Sequence, residues 1–370
     1  MRILLIRLRE IGDVVFTTPA IRGLRQQFPD AYFSYVVEPA AAPVVEHNPH
    51  LNQVIVARGR RGLAGLFDDL ALVSRVRAEH YDLVIDFHSG PRSSLIAWLS
   101  GAPTRIGYDV PGRGWMYTTR VARPKGIRPR HAVANQWDLL NALGIATTDR
   151  SQSPTEMAVE AGAVGAVDAR LTAAGVGRDA ELVVVHVRAG NPFRRWPIEA
   201  FASLIARLVR DHPRRRILVI SGPSEKDAAA RVVEQARVQA DAGDRARVLA
   251  SMDFSLAEVR ALMDRASLYI GGDSGPMHIA STSTVPIVGL YGPTLPVRSE
   301  PWREPQWPSE AAEVIGLECR PCDQRVCVHG DFRCLTRLAP ETVLAAAERA
   351  LSRGAALSAF GKPTADSPEL

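Results

Sequence analysis

The stretch Gly271-Gly272-Asp273-Ser274-Gly275-Pro276-Met277-His278 decides how this chain reads. Leu268-Tyr269-Ile270 before it is a short apolar run that suits a buried strand, and Ile279-Ala280-Ser281-Thr282 after it suits a helix. Glycines at such a junction let the backbone come close to a ligand. The unpaired N–H groups and the dipole of a helix start favour an anion, and Pro276 fits the first turn because its missing N–H costs nothing there. Asp273, Ser274 and His278 therefore surround one candidate phosphate seat. Taken alone, the stretch fits a tight turn into a capped helix slightly better, and the remainder of the chain shifts that balance.

Working outward, the same strand–turn–helix unit recurs. Strands are predicted at Arg2–Arg7, Tyr32–Val37, Val54–Val56 and Asp82–Phe87, with helices at Val14–Gln27, Leu63–Glu79, Ser93–Leu99 and Ala132–Leu143. The second half repeats the pattern: strands at Leu182–Val187, Arg216–Ile220 and Val285–Leu290, a short one at Val248–Leu249, and helices at Ile198–Asp211, Glu225–Ala240 and Leu256–Arg265. Short apolar runs between helical patterns indicate parallel sheets covered on both faces. The predicted fold class is α/β, with two doubly wound domains facing across a cleft. They occupy residues 1–150 and 181–339, joined by a turn-rich link over 151–180. A helix over 340–353 and a small, polar tail over 354–370, expected to be disordered, complete the chain. Ligands of such sheets bind beyond the C-terminal strand ends. That rule selects the loops 8–13, 88–92, 188–195, 221–225 and 271–278.

Composition narrows the function. A chain of 370 residues suits two domains, and 46% hydrophobic with 23% charged residues suits a globular protein. Lys and Arg number 45 against 40 Asp and Glu, a formal charge of +5. That excess fits an anionic ligand or a membrane surface and is no nucleic-acid signature. No apolar run approaches the ~18 residues of a membrane helix. Arg7, Arg9, Glu10 and Asp13 interrupt the N-terminus before a signal-peptide core can form. A cytoplasmic protein is expected, with at most a peripheral place on the membrane. The four cysteines, Cys319, Cys322, Cys327 and Cys334, admit three readings: a zinc knot, disulfides, or packed reduced thiols.

Several residues can do chemistry. Asp13, at the first strand-to-helix turn, suits a helix cap first and a general base for a hydroxyl second. Arg194 and Arg195 precede the helix at Ile198, where cations oppose the dipole, so they suit a phosphate. Glu225 at the next helix start suits the dipole or a ribose. Asp273 can accept from sugar hydroxyls, the amides near Ser274 and Gly275 can hold a diphosphate, and His278 can add a donor. Asp86, His88 and Arg92 follow a first-domain strand and suit a polar, anionic acceptor. His131 and Asn135 read as surface-helix residues. No Walker A pattern, no Gly-x-Gly-x-x-Gly after the first strand and no Asp-x-Asp pair occurs.

Together these segments resemble glycosyltransferase family 9 of the lipopolysaccharide heptosyltransferase type. The resemblance covers about residues 1–350. It rests on Ile11-Gly12-Asp13-Val14 with Pro19-Ala20, Asp82-Leu83-Val84-Ile85-Asp86, Arg105-Ile106-Gly107, Arg195-Trp196-Pro197, Asp273-Ser274-Gly275-Pro276-Met277-His278, Tyr291-Gly292-Pro293-Thr294 and the cysteine segment. It implies a GT-B fold of two Rossmann-like domains and an inverting transferase that needs no metal or other cofactor. It places the acceptor on the first domain and an ADP-sugar on the second. Asp13 then matches the family's base, and Asp273, Ser274, Gly275 and His278 match its donor loop. Arg194 stands where related sequences often carry Lys, and His88-Ser89-Gly90 differs from the family's Gln-Gly type of loop. The implied partners are a nucleotide sugar and a lipid-linked core oligosaccharide. Two rivals fit the same plan: a nucleotide-sugar epimerase and a non-catalytic nucleotide-sugar binding module.

Overall fold

The computed structural model describes residues 1–59, 62–123, 129–187 and 191–359. Among these, two all-parallel sheets carry eleven strands. The first comprises β1 (Arg2–Ile6), β2 (Tyr32–Val37), β3 (Gln53–Val56), β4 (Leu83–Asp86), β5 (Thr104–Asp109) and β6 (Thr119–Ala122), in the order β3-β2-β1-β4-β5-β6. The second comprises β7 (Glu181–Val187), β8 (Arg215–Ser221), β9 (Leu268–Gly272), β10 (Ile287–Tyr291) and β11 (Ser309–Glu313), in the order β11-β10-β9-β7-β8. The central strands are apolar on both faces, as helix-covered parallel strands must be. Leu4, Leu5, Val184 and Ile270 have no exposed surface.

Strand order reverses between β1 and β4 in the first lobe and between β7 and β9 in the second. Doubly wound sheets open a crevice at such switch points, beyond the carboxyl ends of the strands. The loops after β1, β4, β7 and β9 are therefore the ones the topology assigns to ligands. These are the predicted loops at 8–13, 88–92, 188–195 and 271–278, of which residues 188–190 lie outside the described residues.

Several predicted elements change. The single helix Val14–Gln27 is two, Ile11–Val15 and Thr18–Gln27. The Thr17 and Thr18 hydroxyls take the Val14 and Val15 carbonyls at 2.6 and 2.8 Å, and Pro19 has no N–H to continue the ladder. Val248 forms only an isolated bridge to Ile217. β5, β6 and β11 are strands that the hydrophobic pattern did not announce; each mixes small or polar residues at a sheet flank. The last helix runs Pro340–Ala359, so the first residues of the expected tail are helical, and residues 360–370 lie outside the described part.

The link over 151–180 is structured. Its helix Ala161–Ala173 buries Val167 and Leu171 against the second lobe, in one apolar cluster with Val184 and Leu262. Upstream, Thr155 donates to the Trp302 carbonyl at 2.8 Å and lies 2.9 Å from the Ser281 hydroxyl. The next residue, Glu156, pairs with Arg22 and accepts from Asn48, both in the first lobe. The link thus grips both lobes.

Candidate active site

Asp13 is the third residue of the short helix Ile11–Val15, so it is not an N-cap; Glu10 holds that position, in the left-handed region at φ 65°. A non-glycine residue there costs ~1–3 kcal/mol and such strain gathers at functional sites. About a third of the Asp13 side chain is exposed, and it faces the cleft between the lobes. Arg7, at the end of β1, forms an ion pair with Asp13 and donates from Nη1 to the Phe87 carbonyl at 2.8 Å. It thereby fixes the carboxylate and ties the two switch-point loops of the first lobe together. The Gln136 amide adds a donor, 3.2 Å from the Asp13 carbonyl.

The loop after β4 corrects two expectations. Asp86 has no exposed surface. Its Oδ1 accepts from the His88 and Ser89 amides at 2.9 Å each, and its Oδ2 accepts from Tyr117 at 2.7 Å. Burial raises its pKa against these hydrogen bonds. Asp86 shapes the loop, and both its oxygens are already taken by protein donors. Arg92 is likewise occupied: it donates to Asp69 (2.6 and 2.9 Å), to Glu38 (3.1 Å) and to the Arg58 carbonyl (2.6 Å). Its charge is already met by two carboxylates. His88 differs. Half-buried, with an unpartnered Nδ1, it feels the charges of Arg7, Arg9 and Asp13. Burial first, then Arg7 and Arg9, lower its pKa to about 4, so it is neutral at pH 7.

In the second lobe, Asp273 follows β9 and is buried. Its Oδ1 lies 3.3 Å from His278 Nε2, and its Oδ2 accepts from Thr294 at 2.7 Å. Arg194 approaches Oδ2 at 3.6 Å and donates to the Asp273 carbonyl at 2.7 Å, while its Nε reaches Gln324 Oε1 at 2.8 Å. Burial opposes ionisation of Asp273, but His278, Arg194 and Thr294 outweigh it and hold the pKa well below the ordinary carboxylate value. Both Asp273 oxygens are taken by protein groups, so the carboxylate orders His278 and Arg194. Ser274 is the N-cap residue of the six-residue helix Gly275–Ala280; Pro276 has no N–H and the Met277 amide bonds the Ser274 carbonyl at 3.1 Å, so the Ser274 and Gly275 amides are the ones without intrahelical partners by position. Glu225 closes the turn Pro223–Glu225 at the next strand end.

The lobes meet through two glycines. A Cβ on Gly12 would collide with the His278 ring, and one on Gly275 would lie 2.9 Å from Ile11 Cβ. Phe16 stacks on His278 with ring centroids 4.4 Å apart. His131 corrects the surface reading: it is buried between Phe16 and Trp302, at 5.1 and 4.7 Å, and its Nε2 lies 2.9 Å from the Glu300 carbonyl. Burial lowers its pKa to about 4.

Between the lobes lies a cleft of about 880 Å³, within the ~300–1,000 Å³ range of small-molecule sites. Asp13, Arg194, Glu225, Asp273, Ser274, Gly275 and His278 all line it; Asp86, His88 and Arg92 do not. The residues predicted for the donor thus converge with Asp13 in one space. Sequence reading missed Arg7, Phe16, His186 and Gln324. An arginine three residues before Glu10-Ile11-Gly12-Asp13 offered a weak signal for the first, and nothing local announced the others. The cysteine segment supplies Gln324 to the cleft, and its four thiols are free.

The sequence profile of glycosyltransferase family 9 (heptosyltransferase) matches residues 70–332. The chain belongs to that family. This family 9 glycosyltransferase is 29% identical over 316 residues to lipopolysaccharide heptosyltransferase 3 of Escherichia coli K12, covering 80% of this chain and 84% of the relative. The crystal structure of a family 9 glycosyl transferase from Veillonella parvula superposes with a TM-score of 0.80 at 25% identity, over 95% of this chain and 97% of the other. The E. coli ADP-heptose lipopolysaccharide heptosyltransferase II structure superposes at 0.74 with 18% identity, over 95% and 99%, which bears on the fold alone. The transferase thus has the GT-B architecture, two Rossmann-like lobes around one cleft.

Proposed function

We propose that this glycosyltransferase moves a heptose from an ADP-sugar to a lipopolysaccharide core acceptor, with inversion and without a metal. One observation carries the reading: a first-lobe carboxylate, Asp13, opens onto the same cleft as the second-lobe cluster of Arg194, His278 and the Ser274–Gly275 amides. The name of the E. coli relative supports the sugar and the acceptor. Asp13, held by Arg7, removes the proton from an acceptor hydroxyl as its oxygen attacks the anomeric carbon opposite the diphosphate. The transition state has oxocarbenium character, as in other glycosyl transfers. Negative charge growing on the departing diphosphate is met by Arg194, the amide dipoles and His278. Asp273 positions Arg194 and His278, Glu225 meets the ribose, and neutral His88, next to the Phe87 carbonyl that Arg7 holds, is left for the part of the acceptor outside the cleft. Closing the cleft excludes water, which would otherwise hydrolyse the donor.

The test pairs calorimetry with product analysis. Wild-type protein should bind ADP and convert ADP-heptose and a truncated lipopolysaccharide core into a product heavier by one heptose, unchanged by EDTA. Asp13→Asn should bind ADP normally and lose transfer by about 10³-fold or more. Turnover of donor without acceptor, or near-normal transfer by Asp13→Asn, would overturn the assignment.

A further inference from the structure

The first lobe carries an apolar surface that the transfer chemistry does not use. The first half of the helix Gly62–Ala78 is apolar around almost its whole circumference, interrupted by Asp68 and Asp69. A helix of that character is ordinarily buried. Here Leu72 and Val76 enter the core, while Leu66, Phe67 and Leu70 stand 55%, 67% and 56% exposed. Helical spacing puts Leu66, Asp69 and Leu70 on one side, and Asp69 bonds Arg92 of the neighbouring helix Pro91–Leu99. On that helix Arg92, Leu95 and Trp98 form the outward stripe, since Ser93, Ser94, Ile96 and Ala97 are buried. The seam therefore runs from Leu66 and Leu70, with Phe67 exposed on the flank turned away from Arg92, past Leu95 to Trp98, which packs edge-on against exposed Trp115 at 5.4 Å.

We infer that this face docks on an anionic bilayer. Exposed apolar patches of this kind mark interaction sites. Paired indoles at the rim suit the lipid–water boundary, where one end of the ring is apolar and the other wet. Charge selects the partner. Exposed arginines Arg9, Arg58 and Arg123 follow β1, β3 and β6 at the same sheet edge, and the acidic Glu38 and Asp69 nearby are taken by Arg92. Among the described residues no helix is long and apolar enough to cross a membrane, so the contact is peripheral. The apolar half of Gly62–Ala78 is the half next to the end of β3, the edge from which Asp13 also projects. Docking there brings the cleft mouth to the membrane surface. This deepens the reading of a lipid-linked acceptor and is tested without any transfer.

The experiment is vesicle flotation of the full chain with phosphatidylglycerol–phosphatidylethanolamine and, separately, phosphatidylcholine vesicles. Wild type should float with the anionic vesicles, and high salt should weaken but not abolish this. Phe67→Glu/Leu70→Glu should lose vesicle binding about tenfold or more, with an unchanged melting temperature and unchanged ADP binding. Trp98→Ser, at the far end of the seam, gives a second variant with the same expected direction. Wild type remaining unbound with anionic vesicles, or variants floating like wild type, would overturn the proposal. So would a lipid-independent dimer that the double variant converts to monomer, because a second copy would then own the face. Failure of transfer alone, with lipid binding intact, would count against the proposed function and leave the docking surface standing.

Discussion

Arg7 shows how much depends on a side chain that does not meet the reacting atoms. It holds the Asp13 carboxylate from one side and the Phe87 carbonyl from the other, so it sets the direction of the candidate base. Arg7→Gln should lower kcat about 10²-fold and leave ADP affinity unchanged, with Arg7→Lys recovering part of the rate; equal losses in both variants together with lost ADP affinity would indicate a merely structural role. His131 makes a pH-dependent contribution whose sign is fixed. Its pKa falls from the ordinary 6.5 to about 4 on folding, so the unfolded chain binds more protons between those values. Stability from this group is complete above pH 6.5 and is lost as pH falls towards 4, a change of about 3 kcal/mol. Urea unfolding at pH 7 and pH 4.5 should therefore separate wild type from His131→Gln, with the variant less sensitive to acid.

Among the elements, the short helices Ile11–Val15 and Gly275–Ala280 meet face to face because each contributes a residue without a side chain. Gly12→Ala places a methyl in the His278 ring and must push the lobes apart or rotate the imidazole. We expect about 1–3 kcal/mol of destabilisation and a loss of turnover larger than the loss of ADP binding, read from a thermal melt and calorimetry on the same preparation. The elements around this contact were legible in the sequence to different degrees. β1, β4, β7 and β9 carry unbroken apolar runs, and their loops carry Asp13, Arg194 and the Gly271–His278 stretch, so these cleft-lining residues could be picked out from sequence alone. The flanking strands β5, β6 and β11 are short and polar on one side, and periodicity passes over them. The acceptor side failed for a different reason. Asp86 and Arg92 have the right chemistry at the right strand end, but only three dimensions show that Tyr117, Ser89, Glu38 and Asp69 already occupy them. Buried hydrogen-bonding capacity is filled before any ligand arrives, and a sequence does not reveal by whom.

Across the whole molecule, strand order opens a crevice at the switch point of each sheet, and loops from both switch points line one cleft. The path between the lobes has a consequence for how the chain can be cut. Ser151 and Gln152 are exposed, and the residues just after them, Thr155 and Glu156, clasp Trp302 and Ser281 on one side and Arg22 and Asn48 on the other. A protease that severs the peptide at Ser151 should therefore yield two pieces that stay associated, since the downstream piece carries its own hook into the upstream one. Co-elution of the nicked halves from a sizing column, weakened but not abolished by Glu156→Ala because Phe16 and His131 still pack on His278 and Trp302, is the pattern this arrangement demands. It would also mean that the polypeptide could be supplied as two separately expressed parts that find each other unaided.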